Sequence, residues 1–308
     1  MHHLPVLYKE VLQGMNIQAQ GLYLDATFGR GGHSRGILSC LDDVGRLLAF
    51  DRDLDAVNSE QAVALAADKR FAIRHCRFSF LEGELVKQGW FGRMDGILLD
   101  LGVSSPQLDN PARGFSFLRD GPLDMRMDEN AGKPASEWLA NVAEHELVQV
   151  LFRYGEERFA KRIARAIVRQ RKISAINTTG QLAALVVNAV PVQEKNKHPA
   201  TRTFQAIRIK VNRELEEIEA VLDQAVRGLK KGGRLMVISF HSLEDRLVKR
   251  FIRDEVRGQY RADKLPLAET APAARRLRRI GGAVRATASE ITQNPRSRSA
   301  ILRIAERL

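Results

Sequence analysis

Three short apolar runs in the first hundred residues each stop on an aspartate. Leu22-Tyr23-Leu24 runs into Asp25, Arg46–Phe50 into Asp51, and Gly96–Leu99 into Asp100. A fourth run, Phe71–Cys76, lacks that ending. Helix-length segments separate the runs, Leu54–Ala67 among them, and this alternation predicts βαβ units around a parallel sheet. In open sheets of this kind ligands sit outside the carboxyl ends of the strands. Aspartates at those ends are therefore placed for a binding site.

The loop after the first run, Asp25–Ser34, reads DATFGRGGHS. Glycine lets a backbone turn sharply and approach a ligand, and a helix beginning near Ser34 offers free N–H groups. Against the dinucleotide fingerprint the match is partial: Gly29 and Gly31 agree, but Ser34 occupies the third glycine position. No Gly-Lys-Ser/Thr follows, so the phosphate loop of triphosphatases is excluded. Asp51 lies 22 residues after Gly29, at the end of the second strand, where an acid grips both ribose hydroxyls. The loop is read as holding a nucleoside cofactor, with S-adenosylmethionine and NAD both open. His33 has no second ligand at metal-binding spacing. Backbone capping or a cofactor contact suits it better, and no metal is expected.

Beyond the Gly96–Leu99 strand and Asp100 comes Ser104-Ser105-Pro106-Gln107. Enzymes that methylate the exocyclic amines of bases carry (Asp/Asn/Ser)-Pro-Pro-aromatic there, and its side chain and backbone carbonyl accept hydrogen bonds from the amine. The amine lone pair is delocalised into the base, so acceptors that localise and aim it catalyse mainly by orientation. Ser105-Pro106-Gln107 matches in part, lacking the second proline and the aromatic. A C5-cytosine methyltransferase needs a nucleophilic cysteine, usually after proline, and neither Cys40 nor Cys76 follows one.

Residues 105–128 are rich in Pro, Gly and Asp without a clean period, the mark of a long functional loop. Helical stretches follow at Ala135–Asn141, Glu144–Tyr154, Glu156–Lys172 and Thr179–Val190. A long helix then fits Thr203–Leu229, a strand Arg234–Ser239, a helix Leu243–Arg253 and a closing strand Ser299–Ile304. Tyr260–Ser289, rich in Ala and Arg, reads as a loop. The expected organisation is an α/β domain in two pieces, residues 1–104 and 203–308, around a mainly helical insert, residues 105–202. At 308 residues, 44% hydrophobic, the chain is long and apolar enough to bury proper cores. Two cysteines without C-x-x-C argue against disulfides and zinc and suit a cytoplasmic protein. The charged first residues are no signal peptide, and the uncharged stretch Ile173–Gln193 is broken by polar residues and proline, so no membrane span is expected.

These blocks together resemble the MraW/RsmH family of bacterial small-subunit ribosomal RNA (cytosine-N4) methyltransferases. The resemblance runs through His3-Leu4-Pro5-Val6-Leu7 with Glu10, DATFGRGGHS, LLAFDRD, LLDLGVSSPQLD with RGFSF, and GPLDMRMD. It continues through YGEERFAKRIARAI, KHPATRTFQAIRI, GGRLMVISFHSLEDR and NPRSRSAILRIAER. It implies a class I S-adenosylmethionine-dependent methyltransferase fold, Rossmann-like and doubly wound, with an inserted helical domain. It also implies methylation of N4 of a cytidine in the decoding region of 16S rRNA. The implied cofactor residues are Gly31, Gly32, His33, Asp51, Phe78, Asp100 and Gln107. Asp100 and Ser105 are the candidates to act on the amine. His241, in the turn after the fifth strand, is read either as acting on the amine or as capping the next helix.

An RNA substrate agrees with 49 Lys+Arg against 37 Asp+Glu, a net charge of +12. Leu151–Lys172 carries eight Lys/Arg against two Glu, with Ile163, Ile167 and Phe159 or Ala166 forming an apolar stripe opposite the arginines. Arg275, Arg276, Arg278, Arg279, Arg296 and Arg298 are expected to add to that phosphate-binding surface. Met125, Met127 and Trp138 are assigned to the core or to the insert's interface. The target base must leave its stack to be methylated. The rival readings are a DNA amino-methyltransferase, an NAD-dependent oxidoreductase and a non-catalytic RNA-binding assembly factor. Monomer and homodimer are both open.

Overall fold

The aspartate-terminated runs become adjacent parallel strands in the computed structural model, which describes residues 5–192, 198–259 and 274–308. The chain divides into two units, one comprising residues 1–102 and 215–308, the other residues 103–214.

The first unit begins with α1 (Tyr8–Met15), β1 (Leu22–Asp25), α2 (Gly32–Ser39) and β2 (Arg46–Asp51). The helix expected over Leu54–Ala67 is two, α3 (Leu54–Val57) and α4 (Glu60–Ala66). Ser59 breaks it, its Oγ accepting the Ala62 N–H at 3.3 Å as an N-cap. Then come β3 (Phe71–His75), α5 (Leu81–Lys87) and β4 (Met94–Asp100).

The second unit holds α6 (Ser105–Asp109), α7 (Ala135–Asn141), α8 (Glu144–Gly155), α9 (Ala160–Arg171), α10 (Thr179–Ala189) and α11 (Ala200–Asn212). Leu147, Leu151, Ile163, Ile167, Phe204 and Ile207 build its core, with Met125 and Met127 inside and Trp138 packed against it. The return to the first unit comes at Leu215 rather than Thr203, because Phe204, Ala206 and Ile207 belong to this core. The helix expected from Glu156 starts instead at Ala160. Glu156 ends α8 in the left-handed region at φ 50°, and the buried Glu157 carboxylate accepts the Phe159 N–H at 2.9 Å. The stripe on α9 is Ala160, Ile163, Ala164 and Ile167, with Phe159 packed beside it.

The single helix expected over Thr203–Leu229 is also interrupted. Arg213, at φ 53°, separates α11 from α12 (Glu214–Gly228). Then follow β5 (Leu229–Ser239), α13 (Ser242–Arg257), β6 (Leu277–Arg285), α14 (Ala288–Gln293) and β7 (Ile301–Arg307). Strand β6 corrects the loop expected there. Of Tyr260–Ser289, residues 260–273 lie outside the described residues, and 277–285 pair with β7. A register shift between Ile280 and Val284, with Gly281 at φ 63°, disrupts the alternation that would have marked a strand.

The strands order β3-β2-β1-β4-β5-β7-β6, all parallel except β7. Leu24, Leu48, Leu99 and Val237 face one core, while Tyr23, Leu47, Leu98 and Met236 face the other. Burial on both faces explains why the runs read as continuous apolar stretches. This is a doubly wound α/β arrangement, and it brings Asp25, Asp51 and Asp100 to the carboxyl ends of three adjacent strands. No helix among the described residues is long and apolar enough to cross a membrane.

Candidate cofactor site at the strand ends

The chain leaves β1 at Asp25, a carboxylate only 1% exposed. Its Oδ2 accepts the Ser34 hydroxyl at 2.7 Å and its Oδ1 the Thr27 N–H at 3.1 Å. Ser34, in the third glycine position, thus clamps the start of α2 to the end of β1, a role a glycine has no side chain to fill. Gly31 sits at φ 69°, and a Cβ there would approach the Phe28 ring to 2.6 Å. A Cβ on Gly32 would meet Pro5 at 2.5 Å. Both glycines are required by close packing, and Gly31 by its backbone angle as well.

Asp51 holds the loop from the neighbouring strand. Its Oδ2 accepts the Gly29 N–H at 2.7 Å and its Oδ1 the Asp53 N–H at 2.9 Å. Each oxygen retains acceptor capacity, which is what a vicinal ribose diol uses. Burial pushes the Asp51 carboxyl up to about 6, against the pull of those two backbone N–H groups. Phe78 opens the short 3₁₀ turn Phe78–Phe80 after β3, partly buried against the core.

Asp100 donates its backbone N–H to Thr27 Oγ1 at 2.7 Å, and that hydroxyl lies 3.5 Å from Asp25 Oδ1. Its Oδ2 lies 3.7 Å from His33 Nε2, too far for a hydrogen bond, and its Oδ1 has no hydrogen-bond partner among the described residues. Burial, then the charges of Asp25 and Glu244, raise its pKa well above the ordinary carboxylate range. His33 is 5% exposed, and burial lowers its pKa to about 4 with the Val6 backbone only partly opposing. It is therefore neutral at pH 7 and supplies no counter-charge. None of Asp25, Asp51 and Asp100 pairs with a lysine or arginine among the described residues. Buried carboxylates without a cation, with an orphaned Asp100 oxygen, suit a cationic ligand bearing hydroxyl and amino donors.

His241 is the N-cap of α13. Its Nδ1 accepts the Glu244 N–H at 3.4 Å, and its Nε2 lies 3.1 Å from Glu244 Oε1. Glu244 is fully buried, and its Oε2 accepts the Phe240 N–H at 2.8 Å and the His241 N–H at 3.2 Å. Ser105 and Gln107 belong to the other unit, at the start of α6, where Gln107 Oε1 accepts the Ser104 N–H at 2.9 Å. The first unit thus joins Asp51 to the glycine loop and sets His33 beside Asp100. Sequence reasoning missed Thr27, Ser34 and Glu244, whose signal is small hydroxyls flanking a buried acid and an acid three residues after a cap. Cys76 is no nucleophile, its thiol pushed up to about 11 by burial.

Of the basic residues on α9 and just beyond it, Lys161, Arg162, Arg165, Arg169 and Lys172 are exposed. Arg171 is structural, donating to Leu139 O at 2.6 Å and Val142 O at 2.7 Å. Among the C-terminal arginines Arg276 is also committed, to Glu255 and Asp223, and Arg278 pairs with Glu306.

The model of the MraW methylase family matches residues 1–308. Three relatives are each called ribosomal RNA small subunit methyltransferase H. The one from Methylococcus capsulatus is 56% identical over 98% of this chain and 99% of its own length. Those from Pseudoalteromonas atlantica and Thioalkalivibrio sulfidiphilus are each 53% identical, over 99% of this chain and 98% and 97% of their own.

Proposed function

The chain belongs to the MraW methylase family, and from that premise we propose that it methylates N4 of one cytidine in the decoding region of 16S rRNA in the cytoplasm. The cofactor is S-adenosylmethionine, which supplies a methyl group carried on a cationic sulfonium. The observation that carries the reading is the set of strand-end carboxylates, Asp25, Asp51 and Asp100, which pair with no lysine or arginine among the described residues. Such a set complements a cation, while the ribose hydroxyls it also accepts are common to any nucleoside cofactor.

Asp51 takes the ribose hydroxyls with the acceptor capacity not used by Gly29 and Asp53. Gly31 and Gly32 keep the backbone close to the cofactor, neutral His33 donates or accepts without adding charge, and Phe78 offers a ring to the adenine. Asp100 accepts from the N4 amine, which localises its lone pair and aims it. A cation bound beside Asp100 favours its ionised form against the burial that raises its pKa, and the carboxylate so held takes an N4 proton. His241, whose Nδ1 accepts the Glu244 N–H, acts by capping α13 and so fixing the turn that holds Glu244. The exposed Lys161, Arg162, Arg165, Arg169 and Lys172 meet phosphates.

The test is transfer of labelled methyl from S-adenosylmethionine to small subunits lacking the modification, with naked rRNA and duplex DNA alongside, followed by nucleoside mass spectrometry. N4-methylcytidine in the subunit is expected. Label in DNA would promote a DNA amino-methyltransferase, and cofactor binding without label in any substrate would leave a binding factor.

A further inference from the structure

Helix α13 of the first unit carries its bases on one side and its acids elsewhere. Arg246, Lys249, Arg250, Arg253 and Arg257 are all exposed, and at helical spacing they fall within about a 100° arc. Glu244, Val248, Phe251, Ile252 and Glu255 occupy the opposite, buried side. The acids are engaged with other groups. Glu244 Oε2 accepts the Phe240 N–H at 2.8 Å, Asp245 Oδ1 accepts from Arg303 Nε at 2.7 Å, and Glu255 Oε2 accepts from Arg276 Nε at 2.8 Å. Asp254 lies at the margin of the stripe, 2.8 Å from Arg253 Nη2. Lys249 and Arg250, at the middle of the stripe, form no ion pair with any described residue.

A solvated helix face ordinarily mixes signs, because opposite charges three or four residues apart support the helix. This face does the reverse. Arg246 has Lys249 and Arg250 as its neighbours at those spacings, and Arg253 has Lys249, Arg250 and Arg257, so like charges repel along the stripe. The helix dipole offsets such repulsion only in the last turn, where Arg257 stands. Lys249 and Arg250 therefore cost the helix stability and return none to it. A polyanion laid along the face supplies the return, since each phosphate neutralised releases counterions. The helix also begins at the edge of the sheet where the strand-end acids stand. Asp100 is in register with Ile238 of β5, which leads through Ser239 into α13, and Glu244 is near enough for its charge to act on Asp100. From Arg246 to Arg257 the stripe runs back from that edge for about 16 Å.

Taking the rRNA reading as given, we propose that the outer face of α13 is a docking track for the rRNA backbone, with Lys249 and Arg250 on phosphates at its centre. Arg246, Arg253 and Arg257 extend the track to either side. Phosphate contacts fix where the substrate lies and carry no base sequence. They set affinity and leave the chemical step alone.

The experiment uses the full chain with Lys249→Gln and Arg250→Gln combined. It is titrated against small subunits lacking the modification, and against protein-free 16S rRNA, over a series of salt concentrations. Two lost phosphate contacts are expected to lower the slope of log affinity against log salt by about 2 and to weaken binding roughly tenfold at low salt, on both partners. Affinity for S-adenosylmethionine and methyl transfer at saturating subunit stay at wild-type values. The thermal midpoint holds or rises, because like charges have been removed. Lys69→Gln with Lys231→Gln makes the same change of charge on exposed residues near the starts of β3 and β5, and is expected to keep the wild-type slope.

A wild-type slope and affinity in the α13 variant would overturn the proposal. So would an equal loss in the Lys69 and Lys231 variant, which would trace the effect to net charge. A loss on subunits with none on protein-free rRNA would also overturn it, giving the stripe to an acidic ribosomal protein. The expected slope change without an N4 mark on any substrate would uphold the track and sink the N4 reading alone. If the wild-type chain binds neither partner, the functional reading fails first and this proposal falls with it.

Discussion

The first unit buries two sets of carboxylates and treats them oppositely. At the strand ends Asp25 and Asp51 accept from hydroxyl or backbone N–H donors, the Asp100 Oδ1 accepts from none, and none of the three pairs with a lysine or arginine among the described residues. On the α12–α13 side, Glu255, 1% exposed, and Asp223 are both gripped by Arg276, whose Nε reaches Glu255 Oε2 at 2.8 Å and whose Nη2 reaches Asp223 Oδ1 at 2.7 Å. That arginine's own pKa is raised by the pairing with Glu255, while burial raises all three strand-end acids. A paired charge costs little in the folded state and is committed to structure. An unpaired one costs stability and stays available to a cationic ligand.

The comparison breaks most visibly on the paired side. Arg276→Ala strands Glu255 without a counter-charge and is expected to cost about 3–5 kcal/mol of stability. Thermal and denaturant unfolding read the loss, while the folded fraction keeps its affinity for S-adenosylmethionine. On the unpaired side the balance reverses. Asp51→Asn keeps an oxygen for the Gly29 N–H and is expected to weaken the cofactor by about 1.5–3 kcal/mol in a calorimetric titration, with little change in melting.

The pH dependence sharpens the same contrast. Asp51 titrates near about 6 in the free protein, with Asp53 and Asp25 the charges that face it. If the ribose requires the ionised carboxylate, cofactor affinity is flat above that pH and falls about tenfold per unit below it. For folding the sign is opposite: a carboxyl with a raised pKa contributes stability present below its unfolded value and lost as pH rises through about 6. Titrations of wild type and Asp51→Asn between acid and neutral pH check both slopes, which vanish in the variant. The smallest effect belongs to the cap. His241→Ala should cost about 1 kcal/mol through the lost N-cap, and His241→Asn should restore melting and methyl transfer together. A His241→Asn chain that melts normally yet transfers methyl tenfold slower would give the imidazole a direct part in the chemistry.

Much of this was legible in the sequence where the signal is local. Strand ends, the glycine loop and the Ser104–Gln107 turn follow from short-range patterns, and β1, β2 and β4 stop at Asp25, Asp51 and Asp100 as those patterns predict. Helix lengths were misread wherever a single side chain restarts the chain: Ser59 by capping α4, and Glu157 by turning into α9. The interruption at Arg213 has the same character. Asn212 is turned inward there, its side chain accepting the Met127 N–H at 2.8 Å and donating to Met125 O at 2.7 Å. Strand β6 escaped because its residues are mostly exposed and its Gly281-Gly282 irregularity erases the alternation.

Sequence alone determined that carboxylates would stand at the ends of parallel strands beside a glycine turn, because period and turn chemistry act over a few residues. Only the tertiary structure decided which acids would go without a partner. Arg276 finds Glu255 at a separation of 21 residues and Asp223 at 53, while Asp100 meets Thr27 across 73 and no lysine or arginine among the described residues. Pairing over such distances is set by which strands and helices come to lie together, and a linear pattern does not carry that.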